Sequence, residues 1–146
     1  MAIVELRFTA LREHVRTARL VAAAVARRAG VDDSVLDEVR VAVGEACARA
    51  VRLHHRTATD TPVHVRLEER PERFLVEVAD GVGPSEAEPG AAAEGSAAGE
   101  DGDEAEDTMG LAVLSGLVDD LDVSSGAEGG VIRMSWPVKE HPVPVA

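Results

Sequence analysis

Aromatic residues are nearly missing from this sequence. Phe8, Phe74 and Trp136 are the whole complement, and there is no tyrosine, so the core must be aliphatic. Cys47 is the single cysteine. That excludes an internal disulfide and any multi-cysteine zinc site, and it suits a reducing compartment. No apolar run of about 18 residues occurs, which excludes an ordinary membrane-spanning helix, and the N-terminus lacks the charged-then-apolar layout of a signal peptide. The expected address is the cytoplasm, with no membrane partner. Positive charge is the last absence. Between Phe74 and Ile132 there is no Lys or Arg against fifteen Asp and Glu, within a net charge of −12. Such a surface repels phosphate backbones and argues against direct DNA or RNA binding. A protein with a basic face is a better partner, while plain solubility accounts for the charge equally well.

What is present fits one domain. The 146 residues are 45% hydrophobic, enough for a single sizeable core, expected over residues 1–138 with a loose tail over 139–146. Val4, Leu6 and Phe8 alternate with Glu5 and Arg7, the period-2 pattern of a half-buried strand. Val15, Ala18, Val21, Ala22, Val25 and Ala29 then recur at helical spacing, and Gly30 supplies a stop. Asp32, Asp33 and Ser34 offer helix-start chemistry for a second helix, whose buried stripe is Leu36, Val39, Val43, Ala46 and Ala50. Cys47 falls beside this stripe as a small core residue.

Two further strands follow, Val63–Leu67 and Phe74–Val78, with Arg70-Pro71-Glu72 as the turn. Residues 83–107 consist of little but Ala, Gly, Glu, Asp, Ser and Pro, and predict a long acidic lid loop. Met109–Val118 reads as a short helix with Leu111, Leu114 and Val118 inward. Leu121 and Val123 begin a strand, Ser124–Gly130 reads as a turn, and Ile132, Met134 and Trp136 share one face of the last strand. Two long helices beside a mostly antiparallel sheet make an α+β two-layer sandwich.

His54 and His55 close the second helix beside Arg52 and Arg56. Adjacent histidines face different sides of a helix, which argues against a metal pair, and a cation-rich C-terminus favours the helix dipole. No nucleophile elbow or cysteine motif supports a catalytic triad.

Three segments carry a resemblance: VRVAVGEACARAV from Val39, FLVEVADGVGP from Phe74, and TMGLAVLSGLVDDLDV from Thr108. Their order and spacing resemble the anti-sigma-factor serine kinases (RsbW-type). These are a branch of the histidine-kinase-like ATPase superfamily shared by histidine kinases, gyrase and the Hsp90 chaperone. The likeness covers residues 3–138 and implies the Bergerat-type ATPase fold, with ATP and Mg²⁺ as cofactors. In that family a Glu-x-x-x-Asn helix motif stacks a general base one turn from an amide that holds Mg²⁺ on the phosphates. Glu45 matches the Glu, but Arg49 stands at the Asn position. A guanidinium has no lone pair for a hard cation and repels it; the plain alternative is an exposed Glu45–Arg49 ion pair.

In the family's Asp-x-Gly-x-Gly box the Asp accepts a hydrogen bond from adenine. Asp80 is in place, whereas Gly81 and Gly83 are displaced by one position, and Val82 and Pro84 take the required glycine positions. An ordinary strand-ending turn is the plain alternative. Of the phosphate-binding Gly-x-Gly only Gly110 survives, in Thr108-Met109-Gly110, where Thr108 can serve as a helix cap. Three altered boxes imply weakened or lost ATP binding.

The resemblance further implies partner switching between a sigma factor and an anti-anti-sigma (STAS-domain) protein, through a face of the first helix. A family Arg maps onto Arg19, with Arg16 and His14 nearby, although these residues also suit simple solvation of an amphipathic helix. A homodimer is left open, because relatives often pair through their sheets or first helices. The alternatives are an active kinase that phosphorylates an anti-anti-sigma protein using Glu45, and a scaffold that binds that protein alone.

Overall fold

The alternation at the N-terminus becomes β1 (Ile3–Phe8), half-buried at every second residue. The computed structural model describes residues 2–57, 60–82, 110–127 and 129–138; the expected acidic loop and C-terminal tail lie outside them. Helix α1 (Arg12–Ala29) follows. Its first turn has no side-chain cap at Leu11, and the His14 Nδ1 bonds the Thr9 carbonyl at 2.9 Å instead. Gly30 ends it with φ of 101°, a left-handed conformation that costs glycine nothing. Helix α2 (Asp33–Thr57) starts as the Asp32 carboxylate accepts the Ser34 backbone N–H at 3.0 Å, the capping that the sequence announces.

Strands β2 (Val63–Glu69) and β3 (Arg73–Ala79) form a hairpin. Residues 110–117 are helical and are called α3. Strands β4 (Asp120–Gly126) and β5 (Gly129–Pro137) complete an antiparallel sheet of order β1-β2-β3-β5-β4. One boundary differs from the sequence reading. Ser124, Ser125 and Gly126 are not a turn: they pair with Val131, Gly130 and Gly129, so β4 extends three residues further and the hairpin closes tightly. Pairing to a neighbouring strand overrides their low strand propensity.

The helices cover one face of the sheet. Ala18, Ala22, Ala23 and Ala26 of α1 and Val39, Ala42, Val43, Ala46 and Cys47 of α2 are buried, as are Val63, Val65, Leu67, Phe74, Val76 and Val78 beneath them. Alanine-rich helix faces let α1 and α2 approach closely, so the few large side chains, Trp136, Phe74 and Leu114 among them, suffice to fill the layer. Each buried Val, Leu or Phe contributes about 1.5–3 kcal/mol of transfer free energy.

The opposite face carries no helix among the described residues. Register places Glu5, Arg66, Glu77, Arg133 and Asp122 in one row across all five strands. Charge alternates from strand to strand along it, and Arg133 meets Glu77 at 3.5 Å. An open cleft of about 540 Å³ on this face, lined by Arg70, Pro71, Glu72, Arg73, Leu75, Asp120 and Ser135, contains none of the candidate site residues.

Candidate functional site

The second helix carries the first group. Glu45 lies on the flank of α2 that meets α3: a Cβ built at Gly110 would collide with the Glu45 Oε1. Gly110 is buried and must lack a side chain for the carboxylate to sit there. Two residues 65 apart in sequence are thus brought together. The partner of Glu45 is a correction to the sequence reading. Its Oε1 lies 3.5 Å from the Arg52 guanidinium, two turns along the helix, and not against Arg49. Neither group is fully exposed, with 30% and 22% of the side chains open, because α3 covers a flank that looks solvent-facing when α2 is considered alone. Arg49 is half-buried. Its Nε is shut off from solvent and meets no acceptor.

Mg²⁺ does not fit this donor set. The position one turn from Glu45 offers five N–H donors and a positive charge, where a hard cation needs oxygen lone pairs. Among the described residues no group of three or more His, Cys, Asp or Glu converges as a metal site.

At the end of β3, Asp80 is buried at 5% exposure. Its Oδ1 accepts the backbone N–H of Val82 at 2.8 Å and of Gly130 at 2.9 Å, while its own N–H donates to the Gly130 carbonyl at 3.1 Å. The carboxylate thus closes a turn and ties the start of β5 to the end of β3. Gly81 turns the chain with φ of 68°, against Thr61, where any side chain would clash. Glycines 129 and 130 leave room for the Asp80 carboxylate, which a Cβ at either would approach to 2.8 or 2.7 Å. Gly83 and Thr108 lie outside the described residues.

His54 is the residue that the sequence reading misjudged. It is no surface cation at a helix end but buried at 3%, with its Nε2 bonded to the Asp80 main-chain oxygen. A signal was available: position 54 continues the stripe of Leu36, Val39, Val43, Ala46 and Ala50 by one more turn. His55 is exposed. Cys47 is fully buried, and burial pushes its thiol up to about 12, so it is a core residue without nucleophilic character.

On the outer side of the helix pair, the Arg19 side chain lies across Gly44: a Cβ there would meet Arg19 Cδ at 2.5 Å and Cγ at 3.1 Å. Arg19 forms no hydrogen bond or ion pair among the described residues. Leu20 and Val41 are 59% and 50% exposed. Arg16 is exposed as well. His14 is engaged locally, its ring edge-on to Phe8 at 5.8 Å as well as bonded to Thr9.

The fold has known counterparts. The model of the histidine kinase-like ATPase domain matches residues 8–136. The fold is similar to the crystal structure of the RsbU and RsbW domains of Rv1364c from Mycobacterium tuberculosis, with a TM-score of 0.67 at 18% identity. That likeness covers 94% of this chain and 32% of that one, so this chain corresponds to less than half of that protein's length. No curated protein matches it. With the match spanning nearly its whole length, the chain belongs to the histidine kinase-like ATPase domain family.

Proposed function

We infer that this protein works by gripping other proteins. It is a cytoplasmic partner-switching regulator of the anti-sigma type, bound to a sigma factor, to an anti-anti-sigma (STAS-domain) protein, or to each in turn. The observation that carries this reading is on α2. Glu45 lies within ion-pair distance of Arg52 and the next position along the flank is a guanidinium, so this stretch of α2 offers no amide oxygen of the kind on which a Mg-ATP kinase relies.

The protein-binding side of the reading is supported by Arg19. A guanidinium without a partner among the described residues, held over a glycine and flanked by exposed Leu20 and Val41, suits a partner that offers a carboxylate within an apolar surround. Transcription is then controlled through a protein and not by contact with DNA, in keeping with the acidic surface.

The test is transfer of labelled phosphate from ATP to an anti-anti-sigma protein, run beside co-purification of the full chain with its partner. Stable capture without transfer is expected, and Arg19→Glu should abolish capture while leaving the fold intact. Transfer that Glu45→Gln removes would establish the kinase alternative, with Glu45 as general base, and end this reading.

A further inference from the structure

We propose that the cleft on the helix-free face of the sheet is a peptide-docking groove whose occupant is the chain's own C-terminal segment, residues 139–146. The inference goes beyond the reading above and depends neither on the nucleotide cleft nor on Arg19.

Continuity is the first argument. Arg73 of β3 pairs with Pro137 of β5, and the Val138 N–H donates to the Glu72 carbonyl at 3.0 Å. Glu72 and Arg73 both line the cleft, so residue 139 follows directly from its rim. Val138 packs toward the core, and strand alternation then sends residue 139 to the opposite side, the side of Ser135 and the cleft. Eight extended residues reach about 25 Å. The cleft takes its walls from three adjacent strands, β3, β5 and β4, about 10 Å across, which the segment is long enough to cross.

Charge gives the second argument. The two arginines of the cleft are already matched, Arg70 to Glu68 at 2.9 Å and Arg73 to Asp119. Glu72 and Asp120 are left without a partner among the described residues, so the groove asks for a cation. The first residue past the rim is Lys139, the only lysine of the chain.

The remainder of the segment suits the apolar part of the groove, Pro71 and Leu75. Pro142-Val143-Pro144-Val145 presents two branched side chains on a backbone with few donors. Each proline lacks an N–H that burial would leave unsatisfied, and its fixed φ lowers the entropy lost on docking.

The single lysine makes the test direct, because lysyl endopeptidase can cut this chain only after Lys139. The full chain should be cut about tenfold more slowly than Leu75→Ser or the double variant Glu72→Arg/Asp120→Arg, as when about nine-tenths of the molecules are docked. Arginine adds no new cleavage site. Asp122→Arg makes the same kind of charge change two residues along β4, outside the cleft, and should keep the protection. A nitroxide on Ala146→Cys should broaden the amide signals of Leu75 and Asp120 and spare Arg16 on the helix side, with Cys47 buried and slow to take the label. Equal cutting of the full chain and the cleft variants, or no broadening at Leu75 and Asp120, overturns the proposal. Protection lost equally in Asp122→Arg reduces the effect to general charge and overturns the groove. Protection that fades on dilution means that a second copy covers the bond, and overturns the assignment to the chain's own segment.

Discussion

The Arg19 side chain rests directly on Gly44, with no room for a single methyl group between Cδ and the helix backbone. This notch fixes where the guanidinium emerges from the helix pair. Gly44→Ala improves helix propensity by about 1 kcal/mol, and what it displaces is a flexible side chain, so thermal stability should change by no more than about that amount. Partner capture should nevertheless weaken as it does in Arg19→Ala, because the cation is pushed off its seat. The check is Tm together with co-purification of the partner for both variants. Normal capture by Gly44→Ala would separate the notch from recognition.

The bond from His54 to the Asp80 carbonyl links the last turns of α2 to the strand end that Asp80 closes. His54→Leu keeps an apolar volume in a buried place but strands that carbonyl, and Asp80→Ala removes the acceptor for two backbone N–H groups. Each should cost about 2–4 kcal/mol in denaturant unfolding, from lost hydrogen bonds and unsatisfied buried partners. Because the two share one junction, the double variant should lose less than the sum. Strict additivity would mean that the two interactions are independent.

Much of this architecture is legible in the chain because it is local. Period-2 alternation places β1, β2, β3 and β5, helical spacing with Asp32 and Gly30 as punctuation bounds α1 and α2, and the stripe from Leu36 to Ala50 is buried as expected. What escapes is what depends on distant neighbours. Ser124–Gly126 becomes strand only because β5 is there to pair with it. Val123 begins a strand as expected, and its 45% exposure follows from that strand lying at the sheet edge. The site follows the same rule. Glu45, Arg49 and Asp80 can be located from spacing and type, but the choice of Arg52 as the partner of Glu45 and the contact with Gly110 arise from α3 closing over the flank. His54 was masked by its chemistry: a basic residue at a helix end has a ready explanation in the dipole, and that explanation hid its place on the stripe.

Glu77 sits between Arg66 and Arg133 in the charged row across the sheet. Glu77→Lys would set three cations side by side. Two cross-strand pairs, each worth up to about 1 kcal/mol, are reversed, so a loss of about 1–2 kcal/mol is expected at low salt. With the Debye length near 3 Å in about 1 M salt, most of the difference should vanish there. Glu77→Gln should fall between the two. A loss that does not respond to salt would point to packing and not to the charge alternation.

Cys47 gives the fold a predictable response to alkali. Its thiol would lose all hydration as thiolate, and burial pushes it from 9.0 up to about 12. The folded chain therefore holds the proton while the unfolded chain begins to release it near pH 9. The stabilisation is whole below that pH and is lost as pH rises from about 9 toward about 12, with a slope of up to about 1.4 kcal/mol per pH unit. Few other groups interfere in this window, since the chain has no tyrosine and Lys139 is its only lysine. Denaturant unfolding at stepped pH should show the decline in the native sequence and a shallower one in Cys47→Ala. Thiol reagents at pH 8 should label Cys47 only as fast as the structure opens. Prompt stoichiometric labelling of the folded protein would mean that the sulfur is within reach of solvent and that the core between α2 and the sheet is not closed.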